Sequence, residues 1–329
     1  MKTNRKLLIA LIAVLLVSVG LAVYAIRLKQ TISTPSDDEE DYMILDTSDP
    51  TDQKTPDSSN KNKKDGETVE ELIAAGQKNS DRSSSLQEDK ILEDNIQRIL
   101  NDSGGSWDVW TESLDSNTYS HNEAGSGSGR MVSASIIKLF IMGAVYQEVE
   151  NGTITYASVQ QDIRNMITIS DNDAANRLIR RLGDGDPAAG MAKINQFAQS
   201  LGCRNTTINR LMLEENGLEN YTSAEDCAKI LRLIYQRKCV SKELSAEMLT
   251  HLSLQEVNDR IPRGVPAGVT VAHKTGNLTN ISNGDVGIVL LDDTPYIICV
   301  INNGSEGDGI INDKIIKISE TAYNYYKVK

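Results

Sequence analysis

The feature that most constrains this chain is a run of helical patterns, well over a hundred residues long, enclosed on both sides by strand patterns. Apolar residues recur at helical spacing through residues 135–149, 156–168, 171–182, 187–201, 223–237 and 242–252. Before the run, residues 107–114 and 117–121 alternate as two strands around a turn at Asp115-Ser116, and after it residues 269–274, 285–291 and 296–302 read as three more. An isolated hairpin is marginal in water, so the two early strands are expected to join the three late ones in one sheet. A first helix is built on Ile91, Leu92, Asn95, Ile96, Ile99 and Leu100 and stopped by Asp102-Ser103-Gly104-Gly105. A last helix, residues 309–326, lines up Ile311, Ile315, Ile318, Ala322 and Tyr325 on one face. The expected class is α/β in its α+β form: an antiparallel five-stranded sheet with the N- and C-terminal helices packed on it, plus an all-helical lobe. A site belongs in the cleft between the two.

Ahead of this domain, expected over residues 86–329, lie two segments of other character. Residues 7–26 carry no charge and follow Lys2, Arg5 and Lys6, a length and flank that suit a single membrane span with the rest of the chain outside the cell. The alternative for residues 1–27 is a signal peptide cleaved near Val23-Tyr24-Ala25, leaving a secreted protein. Residues 28–85 are rich in Asp, Glu, Ser, Thr, Asn and Lys and poor in large apolar residues, which predicts a disordered acidic linker. Random chain of that length reaches about 40 Å, enough to carry a domain away from a membrane surface. Much of the net charge of -12 sits in this linker, and its sign argues against a nucleic-acid partner. Cys203, Cys227, Cys239 and Cys299 lack C-x-x-C spacing, and His121, His251 and His273 lie far apart, so no metal-site pattern is present and no cofactor is implied. The cysteines read as buried and unpaired. The tract Gly125-Ser126-Gly127-Ser128-Gly129 centres on glycine, so it is a loop and not a nucleophile elbow.

Chemistry concentrates at three short motifs. Ser135 and Lys138 stand three apart where the helical run begins, so hydroxyl and amine share a face and the amine can serve as base. Ser170-Asp171-Asn172 falls between two helices of the block, and Lys274-Thr275-Gly276 ends the first of the late strands. Each motif alone is weak; three in this order, each at a structural transition, are not accidental. No arginine follows Arg263, so Lys274 is the cation at the end of the site strands that could meet an anion. His273 precedes it, and strand alternation turns the imidazole to the opposite face.

With these motifs, and with Arg260-Ile261-Pro262-Arg263-Gly264-Val265-Pro266 leading to the third, residues 88–329 resemble the catalytic domain of class A β-lactamases and penicillin-binding proteins. The resemblance implies Ser135 as nucleophile, Lys138 as its base and Ser170 as proton relay. It implies Asn172 for the substrate's amide carbonyl, and Lys274, Thr275 and Gly276 for the carboxylate that a β-lactam shares with a D-alanyl-D-alanine peptide. The backbone N–H groups of Ser135 and Asn277 would form the oxyanion hole. Two departures stand out. Met212 follows Arg210 by two, where the family has the glutamate that activates the deacylating water, and the loop 210–220 is shorter. Glu214, Glu215 or Glu219 could substitute from a shifted backbone, or one could pair with Arg210. The interval from Lys138 to Ser170 is also short, which opens the cleft toward a bulky peptide. The expected function is a serine hydrolase that forms an acyl-enzyme with β-lactams and releases it slowly. The alternatives are a D,D-peptidase or penicillin-sensing module acting on cell-wall peptides, and a domain that only binds.

Overall fold

The computed structural model describes residues 86–125, 129–215, 217–304 and 306–329; the membrane segment and linker expected from the sequence, and the centre of the Gly125–Gly129 tract, lie outside them. The chain opens with β1 (Gln87–Glu88), α1 (Lys90–Leu100), β2 (Ser106–Ser113), β3 (Thr118–Ala124) and β4 (Met131–Val132). A 3-10 turn (Ala134–Ile137) then runs into α2 (Lys138–Glu150), followed by α3 (Gln160–Thr168), α4 (Asn172–Leu182) and α5 (Pro187–Ser200). After β5 (Tyr221–Thr222) come α6 (Ala224–Tyr235), α7 (Lys242–Ser253) and a 3-10 turn (Ile261–Gly264). The chain ends in β6 (Thr270–Leu278), β7 (Ser282–Leu290), β8 (Tyr296–Asn303) and α8 (Asp308–Tyr326).

The two early and three late strands do share a sheet, in the order β1-β3-β2-β8-β7-β6. The expected five antiparallel strands become six, because β1 pairs in parallel with β3, Gln87 opposite Thr118 and Glu88 opposite Tyr119. Two exposed polar residues carry no alternation, so pattern reading has nothing to detect there. On one face, Leu92, Ile96 and Leu100 of α1 and Ile311, Ile315, Ile318 and Ala322 of α8 pack on Val109, Ile298 and Val300. The strand residues between them, Ile297, Cys299 and Ile301, face the helical lobe.

Within that lobe α2 is the central helix: every residue from Lys138 to Tyr146 is buried. A helix apolar all round belongs inside a domain. Its first residue is a lysine, so the fold takes one amine out of water at the point where the helix meets the sheet. All four cysteines are buried and unpaired. Among the described residues no helix is long and apolar enough to cross a membrane.

The segment entering β6 is held from behind by α8. Ser319 Oγ donates to Ile261 O at 2.8 Å, and a Cβ on Gly264 would lie 2.5 Å from Ser319 Cβ and 2.6 Å from Ile316 O. Backbone cannot yield as a side-chain tip can. Gly264→Ala should therefore destabilise the domain by about 1–3 kcal/mol, the usual cost of overpacking. A denaturant midpoint equal to that of the wild type would contradict the close packing of α8 on this turn.

Candidate active site

Ser135 sits in the 3-10 turn that precedes α2, not on the α-helix itself. The turn is entered by Ala134 in left-handed backbone, φ 44°, and Ile136 N donates to Ser133 O at 2.9 Å. It is tied down on both sides. Ser133 N and Oγ donate to Asn220 O at 2.8 and 3.0 Å, and β4, just before it, bonds through Val132 N to Asn303 Oδ1 at 2.7 Å. Strand β6 comes close because Gly276 has no side chain: a Cβ there would stand 2.9 Å from Ile136 Cγ1 and 3.0 Å from Ser133 O. The glycine of the third motif thus lets Lys274, Thr275 and Asn277 approach the serine.

Lys138 Nζ lies 2.7 Å from both Ser170 O and Asn172 Oδ1, 3.1 Å from Ser135 Oγ and 3.2 Å from Ser170 Oγ. A neutral amine fits this set well: two N–H bonds go to the carbonyl oxygens, and the lone pair faces the serine hydroxyl. Burial pushes the amine down to about 7, against the opposing pull of Asp171. Lys274 Nζ donates to Thr275 O at 2.9 Å and meets the same Ser170 Oγ at 3.0 Å. Burial, and after it the nearness of Lys138, hold this second amine well below the ordinary lysine value. Ser170 reaches both amines from left-handed backbone, φ 59°, in the sharp reversal between α3 and α4. Asp171 closes that reversal as N-cap of α4, accepting from Asp173 N at 2.8 Å and Ala174 N at 3.0 Å.

The remaining wall is the loop after α5. Ser135, Asn172, Met212, Leu213, Asn277 and Leu278 line one cavity together with Arg210 and Glu219. Met212 is held from both sides of its backbone: its N–H donates to Asn176 Oδ1 at 2.8 Å, and its carbonyl accepts from Asn176 Nδ2 at 3.1 Å. Arg210 and Glu219 close the loop with a 2.6 Å ion pair. Glu214 is exposed and accepts from Leu211 N at 3.3 Å, and Glu215 is exposed.

The family model described as the beta-lactamase enzyme family matches residues 90–161 and 155–326. The chain belongs to the beta-lactamase enzyme family. It is 29% identical to the extended-spectrum beta-lactamase PER-1 of Pseudomonas aeruginosa over 181 residues, 51% of this chain and 56% of that protein. It is 29% identical to a beta-lactamase of Streptomyces albus G over 178 residues, 52% of this chain and 54% of that one. The chain thus spans about half the length of these curated relatives. In three dimensions it is similar to PBP-A, with a TM-score of 0.66 and 25% identity, over 75% of this chain and 99% of that one. A PBP-A mutant has also been solved as an acyl-enzyme complex with penicillin G.

All the residues expected from the three family motifs converge here: Ser135, Lys138, Ser170, Asn172, Lys274, Thr275, Gly276 and Asn277. His273 behaves as alternation demands: fully buried, it bonds Asp285 Oδ1 at 2.8 Å and Asn258 Oδ1 at 3.0 Å behind the sheet. Sequence reading missed the ties that fix the site, Asn220, Asn303 and Asn176, because a single Asn carries no periodic signal. It also passed over Arg260, whose charge is near enough to depress Lys274 further; the guanidinium is committed to Asn283 Oδ1 and Asp259 Oδ1, both at 2.8 Å. The amine's position yields a rate prediction. Only neutral Lys138 can accept the Ser135 proton, so the rate at which Ser135 is acylated should rise with pH through a midpoint of about 7. Lys138→Arg, which cannot lose its proton, should acylate about 10²–10⁴-fold more slowly. A flat pH profile between about 6 and 8 would exclude Lys138 as the base.

Proposed function

We propose that the protein is an extracytoplasmic serine hydrolase, tethered by residues 7–26, that forms an acyl-enzyme with β-lactams and releases it slowly. The observation that carries the reading is the bonded set Ser135–Lys138–Ser170–Lys274, which supplies nucleophile, base, relay and anion site in one cleft. Ser135 Oγ attacks the lactam carbonyl carbon and gives its proton to Lys138. The C–N bond breaks, and Ser170 passes a proton from Lys138 to the departing nitrogen. Lys274 and Thr275 hold the carboxylate, Asn172 the side-chain amide, and the N–H groups of Ser135 and Asn277 the developing oxyanion. The likeness to PBP-A, a mutant of which is known as a penicillin G acyl-enzyme, supports the same class of acyl donor here.

Hydrolysis of the ester needs a water and a base, and Met212 can supply neither. Glu219 reaches the cavity, but its carboxylate is committed to Arg210; Glu214 is turned onto the Leu211 N–H. Loss of a base contributing about 10²–10⁴-fold leaves the acyl-enzyme visible for minutes or longer. An intact-mass time course with penicillin G should show one adduct, absent in Ser135→Ala and persistent in the wild type. Fast turnover that collapses in Glu219→Gln or Glu214→Gln would overturn the slow-release reading.

A second reading, a D,D-peptidase acting on D-alanyl-D-alanine stem peptides of the wall, is favoured by the exposed rim of the cleft. Ile169, next to Ser170, is 50% exposed. The membrane tether rests on the apolar run and its basic flank alone. In cells expressing the full chain, protease added to protoplasts should remove the domain, and protection of the domain would contradict the tether's orientation.

A further inference from the structure

Outside the catalytic cleft, three residues with ligand atoms suited to a metal ion meet on the face of the sheet that carries α6. In β2, Trp107 and Val109 pack with α1 and α8 while Trp110 packs with the helical lobe, so alternation turns Asp108 toward the lobe as well. Register brings two residues of β3 beside it: Glu123 stands directly opposite Asp108, and His121 opposite Trp110. A carboxylate oxygen of Asp108, one of Glu123 and a ring nitrogen of His121 all lie within 4.8 Å of one another. His121 Nε2 and Asp108 Oδ1 are already 3.0 Å apart. Ligand atoms held about 2.0–2.2 Å from one ion, at tetrahedral or smaller angles, are themselves about 3–3.5 Å apart. One ion can therefore touch both without backbone movement, and the exposed Glu123 side chain can turn to join them.

The charges at this place are unbalanced. Carboxylates directly opposite on neighbouring strands repel, and Asp108, 1% exposed, is little screened by water. Among the described residues neither carboxylate is ion-paired with a lysine or arginine; Asp108 has His121 alone. Asp108 Oδ2 is committed to Ala224 N at 2.8 Å, which leaves Oδ1 for the imidazole. A third carboxylate, Glu225 in the first turn of α6, also acts on His121. The hydrogen bond to Asp108 holds His121 above the ordinary histidine value, so in mild acid a proton lies between Nε2 and Oδ1. A doubly charged ion in the proton's place would serve two carboxylates where the proton serves one.

We propose that Asp108, His121 and Glu123 form a binding site for a divalent transition-metal ion, zinc foremost, separate from the acylation machinery. One imidazole and two carboxylates, without a thiolate, suit zinc and its neighbours, whereas calcium and magnesium take oxygen ligands. Three protein ligands leave the fourth position to water. The ion fastens β2 and β3 to the start of α6, because Asp108 also holds Ala224 N. Just before α6, β5 pairs with β4 and Asn220 holds Ser133, so the ion stiffens the platform of the nucleophile without touching it. The spacing 108, 121, 123 is no metal motif; the antiparallel register of β2 on β3 creates the set.

The test uses the full chain, freed of metal by a chelator, with zinc chloride as the probe. Calorimetry at pH 8 should show one tightly bound zinc per chain, and equal concentrations of calcium or magnesium should not compete. Loss of a group that merely supports a ligand costs about 10–100-fold in affinity. His121→Gln, which removes a ligand, should therefore weaken binding by about 100-fold or more, and Glu123→Gln by about tenfold. His251→Gln, at the histidine whose Nε2 lies 3.5 Å from Glu247 Oε1, should bind zinc as the wild type does. Because zinc replaces the His121 proton, affinity should fall about tenfold or more from pH 8 to pH 6. One further measurement needs no variant: copper(II) should quench tryptophan emission, since the ring centroids of Trp110 and His121 are 5.3 Å apart, and excess zinc should restore it. Absence of stoichiometric zinc binding, undiminished binding in a folded His121→Gln, loss of binding in His251→Gln, or emission untouched by copper would each overturn the proposal.

Discussion

Two lysine amines, both taken out of water, meet on one hydroxyl oxygen, and the rest of the site is arranged around that encounter. Ser170 Oγ stands 3.2 Å from Lys138 Nζ and 3.0 Å from Lys274 Nζ. The bonded partners of both amines are hydroxyls, carbonyls and an amide, all neutral. Two buried ammonium ions so close, with no bonded carboxylate, repel each other and lack the solvation that water would give. The lower-energy arrangement gives up a proton from the pair, both amines being lowered by burial, and where Lys138 loses it the free amine can serve as base for Ser135. On the proposed function, the substrate's carboxylate is the counter-ion of Lys274. The arrangement costs stability. Between about pH 7 and the ordinary lysine value of about 10.4, the unfolded chain binds protons that the folded site does not. The domain's stability should therefore rise with pH across that window.

Holding such a pair requires a stiff surround, which explains why so much of the nearby structure is polar and buried. Asp171 caps α4 and fixes the strained backbone of Ser170; Asn220 and Asn303 fix the turn of Ser135 and the strand before it; Gly276 leaves out the Cβ that would meet Ile136 and Ser133. Behind β6, the His273–Asp285 pair is fully buried and joined through Ile261 N, which donates to Asp285 Oδ2 at 3.1 Å, to the turn packed on α8. The far helix thus supports the site strand through a continuous set of hydrogen bonds. On the other wall the backbone of the Met212 loop is clamped by Asn176; Arg210 and Glu219 pair with each other, Glu214 accepts from Leu211 N, and Glu215 is exposed. On the proposed function, the rigid placement of Ser135 and Lys138 favours acylation, and Met212 in the facing loop offers no base for hydrolysis.

Most of this was legible in the sequence, for reasons that differ by feature. The helices and the five longer strands carry strong periodicity, and helical spacing alone joins Ser135 to Lys138. Ser170 and Lys274 lie 32 and 136 residues beyond Lys138 in number, and only their motif order connects them to it. The sequence also allowed a glutamate to pair with Arg210, and Glu219 does so. What it could not carry were features that depend on a single residue's surroundings. The two-residue β1 has no pattern to repeat. The left-handed backbone of Leu213 contradicts the local preference of leucine, because clamps made by Asn176 and Glu214 override it. The burial that lowers Lys138 follows from α2 being enclosed on every side, which a list of apolar residues suggests only once the neighbouring helices are placed.

Near neutral pH and above, the free enzyme is expected to hold Lys138 as a neutral amine beside Ser135. That state is tested most directly by following the ζ-nitrogen of Lys138 by NMR in the full chain across pH, assigned through Lys138→Arg. Loss of the ammonium proton is expected with a midpoint of about 7. An Nζ that stays protonated to about pH 10, as an ordinary solvated lysine does, would contradict it.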